Sequence, residues 1–241
     1  MLPMLSRTLR LPALLLALSF APTGDARPTV LPLHSPVALA TTSATAAPQT
    51  TAQVIYDRSD EQEVERLLND TSLRTSLDFA RRLKGRPYVA ATLEVADPER
   101  LVVNLRGLDC ATLVETASAL TLTRREGKRR FADYCRNLER LRYFDGHVAG
   151  YTSRLHYLSF WMADHLRRKT IEEVVLPTNL TQPLHIDLHY MSRHAESYPM
   201  LRNHPERVRE IARLERKYSG NVGRFLPKSK VGLSRNELGA I

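Results

Sequence analysis

Cysteine is scarce in this chain, which has only Cys110 and Cys135 among 241 residues. Two cysteines cannot build the disulfide framework that stabilises small secreted proteins. The sequence also has no CxxC pair, which excludes the usual spacing of structural zinc sites and of thioredoxin-like redox sites. The chemistry of each cysteine therefore depends on its own surroundings.

The sequence also lacks the signatures of a nucleic-acid-binding protein. Its formal net charge is +9, from 35 Lys and Arg against 26 Asp and Glu. The basic residues are scattered, however, and neither alternate with aromatic residues nor form a known nucleic-acid-binding motif. We therefore predict no nucleic-acid partner. The charge suits a soluble surface, or attraction to an anionic membrane or wall polymer.

No apolar run is long enough for a comfortable transmembrane helix, which needs about 20 residues. The N-terminus has Arg7 and Arg10, then a short apolar run over residues 11–21, then small residues up to Ala26. This is the pattern of a secretory signal peptide. Residues 1–26 are therefore predicted to export the protein to the periplasm, and an uncleaved inner-membrane anchor is the alternative.

The rest of the chain divides into two predicted parts. Residues 27–52 are rich in Ala, Thr and Pro without an amphipathic period, and this predicts a disordered tether. Residues 53–241 are predicted to form one folded, monomeric domain that meets the membrane only through the signal segment.

Apolar spacing predicts a helix-rich domain with little sheet. Ser59 is the predicted cap of the first helix, and the acidic residues that follow, from Asp60 onward, are expected to face solvent. The segment 151–163 suits either a strand or a helix. The other predicted elements are helices over about 73–83, from Asp109, over about 129–142 and from Pro205, and extended segments over 101–105 and 184–190.

Cys110 is the strongest candidate for chemistry. It follows Asp109, a good N-cap, and so lies in the first turn of a predicted helix. Unpaired backbone N–H groups and the positive end of the helix dipole both stabilise a thiolate there. The same N–H groups can bind the oxyanion of an acyl-transfer transition state. The alternative is an inert cysteine on the apolar stripe formed with Leu113, Val114, Ala117 and Leu120.

Cys135 illustrates that alternative. It falls in the middle of a predicted helix, on an apolar face with Phe131 and Leu138, and is predicted to be a core residue. A disulfide between Cys110 and Cys135 is conceivable in an oxidising compartment, and it would remove the nucleophile.

Two weaker patterns involve histidine. His185, Asp187 and His189 alternate along a predicted strand and could present metal ligands, but a polar strand face explains them equally well. We predict no metal and no other cofactor. His156 and Asp164 are the available partners for a Cys–His–carboxylate relay with Cys110, with His156 as a weak candidate for the base.

Five ordered blocks of the sequence resemble one family. They are GRPYVAATLE, LVVNLRGLDCATLVE, RYFDGHVAGYTSRLHYLSFW, HYMSRHAESYPML and RFLPKSKV, and together they span about residues 60–241. The family consists of NlpC-like N-acetylmuramoyl-L-alanine amidases, formerly catalogued as a domain of unknown function. The resemblance implies an α+β, papain-like fold in which a helix that begins with the nucleophile packs on a small antiparallel sheet.

The resemblance also implies roles for individual residues. Cys110 would attack the amide that joins the lactyl group of N-acetylmuramic acid to L-alanine, so that muropeptides are the substrates. Tyr88 and Asp109 would lie at the substrate site beside the nucleophile. Three residues of the YTSR block, Tyr151, Ser153 and Arg154, would shape the sugar or peptide pocket, with structural support as the alternative.

The chain departs from the family pattern at its C-terminus. The family pattern continues with two strands, the second of which begins with the catalytic histidine in a His-Val-Gly-like motif. No such block follows Lys228. We therefore expect an amidase-like protein with an incomplete catalytic sheet and little or no activity by itself. The alternative is a noncatalytic periplasmic protein that binds muropeptides or wall.

Overall fold

The computed structural model of the protein describes residues 54–173 and 177–230, so the predicted signal peptide and tether lie outside the described residues. The elements in chain order are β1 (Val54–Ile55), α1 (Arg58–Asn69), α2 (Ser76–Arg82), β2 (Leu101–Val102), α3 (Cys110–Arg125), α4 (Phe131–Arg142), α5 (Leu158–Arg167), β3 (Gln182–Ile186), α6 (Tyr190–Arg193), α7 (Pro205–Tyr218) and β4 (Gly220–Phe225). The prediction of a helix-rich domain with little sheet is confirmed. Within the described ranges, no helix is both long and apolar enough to cross a membrane.

Helix α1 begins two residues earlier than the sequence predicted. Its cap is Asp57, whose Oδ1 accepts a hydrogen bond from the backbone N–H of Ser59 at 2.8 Å. The Asp60 carboxylate accepts in return from the N–H of Asp57 at 3.3 Å, which completes a capping box. The prediction that Ser59 caps this helix was wrong because an aspartate was available to satisfy the same N–H groups.

Asp60 is buried, although the sequence suggested that it faces solvent. It is 1% exposed, and its Oδ1 accepts a hydrogen bond from the backbone N–H of Leu105 at 2.9 Å. Arg106 lies 3.4 Å from its other oxygen and partly compensates the buried charge. This carboxylate therefore fixes α1 to the segment that leads to Cys110.

Other predicted boundaries shift by a few residues. Helix α2 begins after Thr75, which forms a capping box with Asp78, so Leu73 lies before the helix. The segment 151–163, which could be strand or helix, is a 3-10 turn at Tyr151–Ser153 followed by α5. The long helix predicted from Pro205 is confirmed, with Pro205 in its first turn.

The described strands form two separate pairs. Strand β1 pairs with β2 in parallel, and β3 pairs with β4 in antiparallel orientation with an irregularity between Leu184 and His185. The strand predicted over 184–190 corresponds to β3, which ends at Ile186. Tyr190, at the other end of the predicted strand, instead begins α6 and is 56% exposed. The strand predicted over 101–105 is shortened to β2, and β4 was not predicted. The described residues thus form no continuous antiparallel sheet against α3.

The main core lies between α1, α2, α3 and α4. Leu67, Leu68, Leu120 and Tyr134 are fully buried there. Arg142 is buried in the same region and joins three elements. Its Nε donates to Glu115 of α3 at 2.7 Å, and its Nη1 donates to the backbone carbonyl of Val102 in β2 at 2.6 Å.

The buried histidine His165 makes the stability of the fold depend on pH. It is 0% exposed, and its two ring nitrogens lie 3.0 Å from the carbonyl of Leu141 and 2.6 Å from Thr170 Oγ1. Burial lowers its pKa from the ordinary 6.5 to about 4. Between these values the unfolded chain binds a proton that the native protein does not bind, so stability falls as the pH falls through this window.

We therefore predict that the free energy of unfolding contributed by His165 is about 2 kcal/mol lower at pH 5 than at pH 7. Urea denaturation at both pH values, for the wild type and His165→Gln, measures this difference. The variant is expected to be less stable at pH 7 but to lose less stability on acidification. Equal pH slopes for the two proteins would show that His165 does not cause the dependence.

Candidate active site

Cys110 is solvent-exposed and lies in a cleft of about 520 Å³. It is the first residue of α3, so its side chain lies at the end of the helix where backbone N–H groups have no helical partner. Twelve residues line the cleft, namely Leu77, Ala80, Arg81, Leu83, Lys84, Gly85, Arg86, Tyr88, Leu108, Asp109, Cys110 and Leu113. The predicted site residues Tyr88, Asp109 and Cys110 are therefore brought together.

Asp109 acts as the cap of α3, as the sequence predicted. Its Oδ1 accepts from the backbone N–H of Thr112 at 2.8 Å and from the Thr112 hydroxyl at 2.7 Å. The hydroxyl oxygen of Thr112 accepts in turn from the N–H of Asp109 at 2.9 Å. Because the carboxylate is engaged in this capping box, its contribution is to hold the first turn, and thus Cys110, in a fixed position.

The loop that carries Tyr88 is held against the segment before Cys110. The N–H of Val89 donates to the carbonyl of Leu108 at 3.3 Å, and the N–H of Leu108 donates to the carbonyl of Pro87 at 3.1 Å. Gly107 permits this approach, since a Cβ there would lie 2.7 Å from Val89 Cγ2. Tyr88 is 74% exposed, and this pairing fixes its backbone beside the thiol.

The predicted apolar stripe of α3 is only partly buried. Ala117 and Leu120 are 3% and 0% exposed, whereas Cys110 is exposed and Val114 is 39% exposed. The start of the stripe is exposed because it borders the cleft, and the stripe becomes buried further along the helix. The same result removes the alternative in which Cys110 is an inert core residue.

Cys135 has the opposite environment. It is 3% exposed within the main core, as predicted, and burial raises the pKa of its thiol to about 12. Both cysteines are free, so the conceivable disulfide between them is not formed. Only Cys110 is accessible to a substrate.

The residues of the YTSR block lie outside the lining of this cleft. Tyr151 is 3% exposed, and its ring packs on that of His156 with centroids 4.5 Å apart. Ser153 Oγ donates to the carbonyl of Gly150 at 2.7 Å and accepts from the N–H of Ala149 at 2.9 Å, which stabilises a turn. These contacts are those of structural support, the alternative that the sequence left open.

Arg154 forms a buried ionic network. It is 6% exposed, and its guanidinium donates to Glu94 at 2.6 Å and to Glu99 at 2.8 Å and 3.0 Å. Tyr143 donates its hydroxyl to the same Glu99 at 2.8 Å. The network joins the segment after α4 to the loop before β2, and Arg154 is not among the residues that line the cleft.

His156 is not among the residues that line the cleft. Its Nε2 lies 2.9 Å from the carbonyl of Tyr151, and its pKa falls to about 3 because the ring is desolvated and Arg154 is near. Asp164, its predicted partner in a relay, is buried and binds Arg167 at 2.6 Å and Arg168 at 2.7 Å. Neither residue is placed to relay a proton to Cys110 in the described cleft.

His185 and its neighbours show no metal-binding arrangement. His189 Nδ1 lies 3.2 Å from Asp187 Oδ2, while His185 is on the shortened strand β3. Over residues 54–173 and 177–230, no group of three or more His, Cys, Asp or Glu side chains is placed to hold a metal ion.

Sequence reasoning missed the cationic wall of the cleft. Arg81, Lys84 and Arg86 line it at and just after the C-terminal end of α2. In the sequence these residues are three among many scattered basic residues. Only the fold places them in the same cleft as a cysteine that is 24 or more residues away. Their spacing at the end of a predicted helix was the available signal, but helix ends attract cations for structural reasons as well.

Comparison with known proteins identifies related sequences and structures. Residues 78–239 match the model of the AmiA-like family, described as N-acetylmuramoyl-L-alanine amidase-like. No curated protein matches the chain.

Two structures of an N-acetylmuramoyl-L-alanine amidase from Bacteroides uniformis are similar. The first is 36% identical, covers 64% of each chain and has a TM-score of 0.55. The second is 35% identical, covers 65% of this chain and 66% of that chain, and has a TM-score of 0.56.

A protein from Bacteroides fragilis, named as a suspected xylanase, is 39% identical with a TM-score of 0.51 and covers 60% of this chain and 62% of that one. This chain thus spans less than two thirds of the length of these structures. Glycoside hydrolysis generally uses two facing carboxyl groups. Among the described residues that line the cleft, Asp109 is the single carboxylate and it serves as a cap, so this cleft does not suit that chemistry.

The contrast between the two thiols predicts selective alkylation. Iodoacetamide at pH 8 is expected to modify Cys110 rapidly in the native protein, because the reagent can reach only a thiol that is exposed to solvent. Cys135 is expected to react only after denaturation. Mass spectrometry of peptides from native and denatured samples measures both sites, and native labelling of Cys135 at a similar rate would contradict the assignment.

The close approach of Val89 to Gly107 predicts that any larger residue at position 107 destabilises the protein. Gly107→Ala is expected to lower the free energy of unfolding by about 1–3 kcal/mol, because the new methyl group would collide with Val89. Urea denaturation measures this change. The double variant Gly107→Ala/Val89→Ala removes the colliding methyl groups and should recover part of the loss. Full stability of the single variant would show that the loop has room to move.

Proposed function

From the premise that the chain belongs to the AmiA-like family of N-acetylmuramoyl-L-alanine amidase-like proteins, we propose that it acts on muropeptides through Cys110. The observation that carries this proposal is the exposed thiol at the N-terminus of α3, within a cleft large enough for part of a peptide. Papain-like and NlpC-like hydrolases use a cysteine in this position, and we propose that relationship for this fold.

The proposed reaction is acyl transfer in two steps. The Cys110 thiolate attacks the lactyl carbonyl of the muramyl group, and the C–N bond to L-alanine breaks as the departing amine takes up a proton. Water then hydrolyses the thioester and releases the muramyl carboxylate and the free thiol. Backbone N–H groups in the first turn of α3 would stabilise the oxyanion formed in each step.

The general base is the part of this mechanism that the described cleft does not supply. None of the described histidines is among its lining residues. Loss of a catalytic triad member typically lowers the rate by several orders of magnitude. We therefore propose that the described cleft, without a histidine in its lining, turns substrate over slowly or not at all by itself.

Exposed apolar side chains around the thiol support the proposal of an incomplete site. Leu77, which lines the cleft, is 50% exposed, and Val89 and Val114, which follow the lining residues Tyr88 and Leu113 in the chain, are 42% and 39% exposed. Large apolar residues that cluster on a surface usually mark a face that another element covers. In the proposed papain-like arrangement, that element would be a further part of the catalytic sheet.

A second candidate function is muropeptide binding without hydrolysis. It is favoured by the same absence of a histidine from the described cleft lining. For either function we propose a periplasmic location, after export by residues 1–26. Peptidoglycan fragments occur in that compartment, and a cleft without a base could still hold them.

The test is hydrolysis of purified muropeptides by the full chain, followed by release of free stem peptide on liquid chromatography and mass spectrometry. If the protein is active, Cys110→Ala is expected to abolish release, whereas Cys135→Ala should retain it in the folded protein. Activity that survives Cys110→Ala would disprove the cysteine mechanism. Binding of muropeptides without release would support the second candidate function.

A further inference from the structure

We propose that Arg81 and Lys84 form a carboxylate-binding subsite, so that the cleft selects acidic peptides. This inference rests on the proposed function, in which a peptide lies in the cleft beside Cys110. Both residues line the cleft and are exposed to solvent. A free carboxylate on the peptide side of the scissile amide is the group that these two cations would bind.

The charge balance of the cleft supports an anionic ligand. Its lining has three cations, Arg81, Lys84 and Arg86, and one carboxylate, Asp109. That carboxylate already accepts hydrogen bonds from the N–H and hydroxyl of Thr112, so it balances little of the positive charge of the three cations. The cleft is therefore cationic, and most of its remaining lining is apolar, so an anionic ligand is attracted by Arg81, Lys84 and Arg86.

The three cations differ in how much of their positive charge is already balanced by a neighbouring carboxylate. Arg86 donates to Glu63 at 2.9 Å, and Glu63 also accepts from Arg66 at 2.7 Å. Arg81 experiences the charge of Asp78, whose oxygens are bound to Thr75 and to the N–H of Arg74. Arg81 and Lys84 are thus the cations of the wall that can turn to a ligand without breaking an ion pair with Glu63.

The positions of these cations can also be explained by helix stability without any ligand, and this explanation makes a different prediction. Arg81 and Arg82 both lie in the last turn of α2, where the negative end of the helix dipole favours cations. Arg82, however, lies 3.6 Å from Asp70 and is not among the cleft residues. A helix-end role predicts similar behaviour for Arg81 and Arg82, whereas a ligand role predicts different behaviour.

The experiment compares two substrates that differ only in charge. They are N-acetylmuramoyl-L-alanyl-D-glutamate and its diamide, in which both carboxylates are carboxamides. For the full chain we expect kcat/KM to be about tenfold higher for the acid, equivalent to about 1.4 kcal/mol. The preference should shrink in high salt, since exposed charges are screened.

The double variant Arg81→Gln/Lys84→Gln is expected to reduce this preference to less than about twofold, whereas Arg82→Gln should keep it. Equal turnover of acid and diamide by the wild type would overturn the subsite and leave the amidase function intact. Loss of the preference in Arg82→Gln as well would also overturn it, because the effect would then come from net charge and not from the cleft.

A binding measurement separates failure of the subsite from failure of the amidase function. If neither compound is hydrolysed, isothermal titration of each into the Cys110→Ala protein gives the affinities directly. Tighter binding of the acid, lost in the added Arg81→Gln/Lys84→Gln changes, would support the subsite although the amidase function had failed. Equal binding of acid and diamide, or no binding of either, would overturn the subsite.

Discussion

The position of the exposed Cys110 thiol depends on the buried guanidinium of Arg142. From α4 it reaches Glu115 on α3 and the carbonyl of Val102 in β2, so that one side chain ties the cysteine helix to the strand that precedes it. The charge is stable inside the protein because a carboxylate and a carbonyl replace the water that it loses. Removing either partner would leave an uncompensated charge in the core. The elements around Cys110 are therefore held together because each of them is needed to balance this buried charge.

The approach to Cys110 is fixed on other sides by backbone contacts. Asp60 accepts from the N–H of Leu105, and the loop at Val89 pairs with Leu108, so the segment between them has little freedom. The chain then enters α3 through the capping box of Asp109. Such preorganisation matters for acyl transfer, because oxyanion stabilisation requires donors that are already in place when the carbonyl arrives. The geometry therefore suits the role proposed for Cys110, that of a nucleophile held in a fixed position.

Local features of the fold could be predicted from the sequence, and features that depend on distant residues could not. The cap at Asp109 and the core position of Cys135 follow from neighbours within one helix, and both are confirmed. The burial of Asp60 depends on a backbone N–H 45 residues away, and no local pattern reveals it. Likewise, the pairing of β3 with β4 joins a predicted strand to a segment that was not predicted to be one, and the cationic wall depends on how α2 packs beside α3. The resemblance to a family supplied Tyr88 and the importance of Cys110, but for Arg154 it could not separate a substrate contact from the interior network with Glu94 and Glu99.

The proposed mechanism divides the work of a cysteine amidase into two tasks, peptide binding and proton transfer. For the first task, the helical side of the cleft would provide the thiol and the oxyanion donors, and its cations would hold an acidic peptide with its carbonyl near Cys110. Proton transfer requires an additional group, and the described lining has no imidazole to supply one. In this proposal, binding and turnover would thus be carried by different parts of the protein. It follows that selection for an acidic peptide should persist whether the chain hydrolyses its ligand or only retains it, since that selection depends on Arg81 and Lys84 and not on the base.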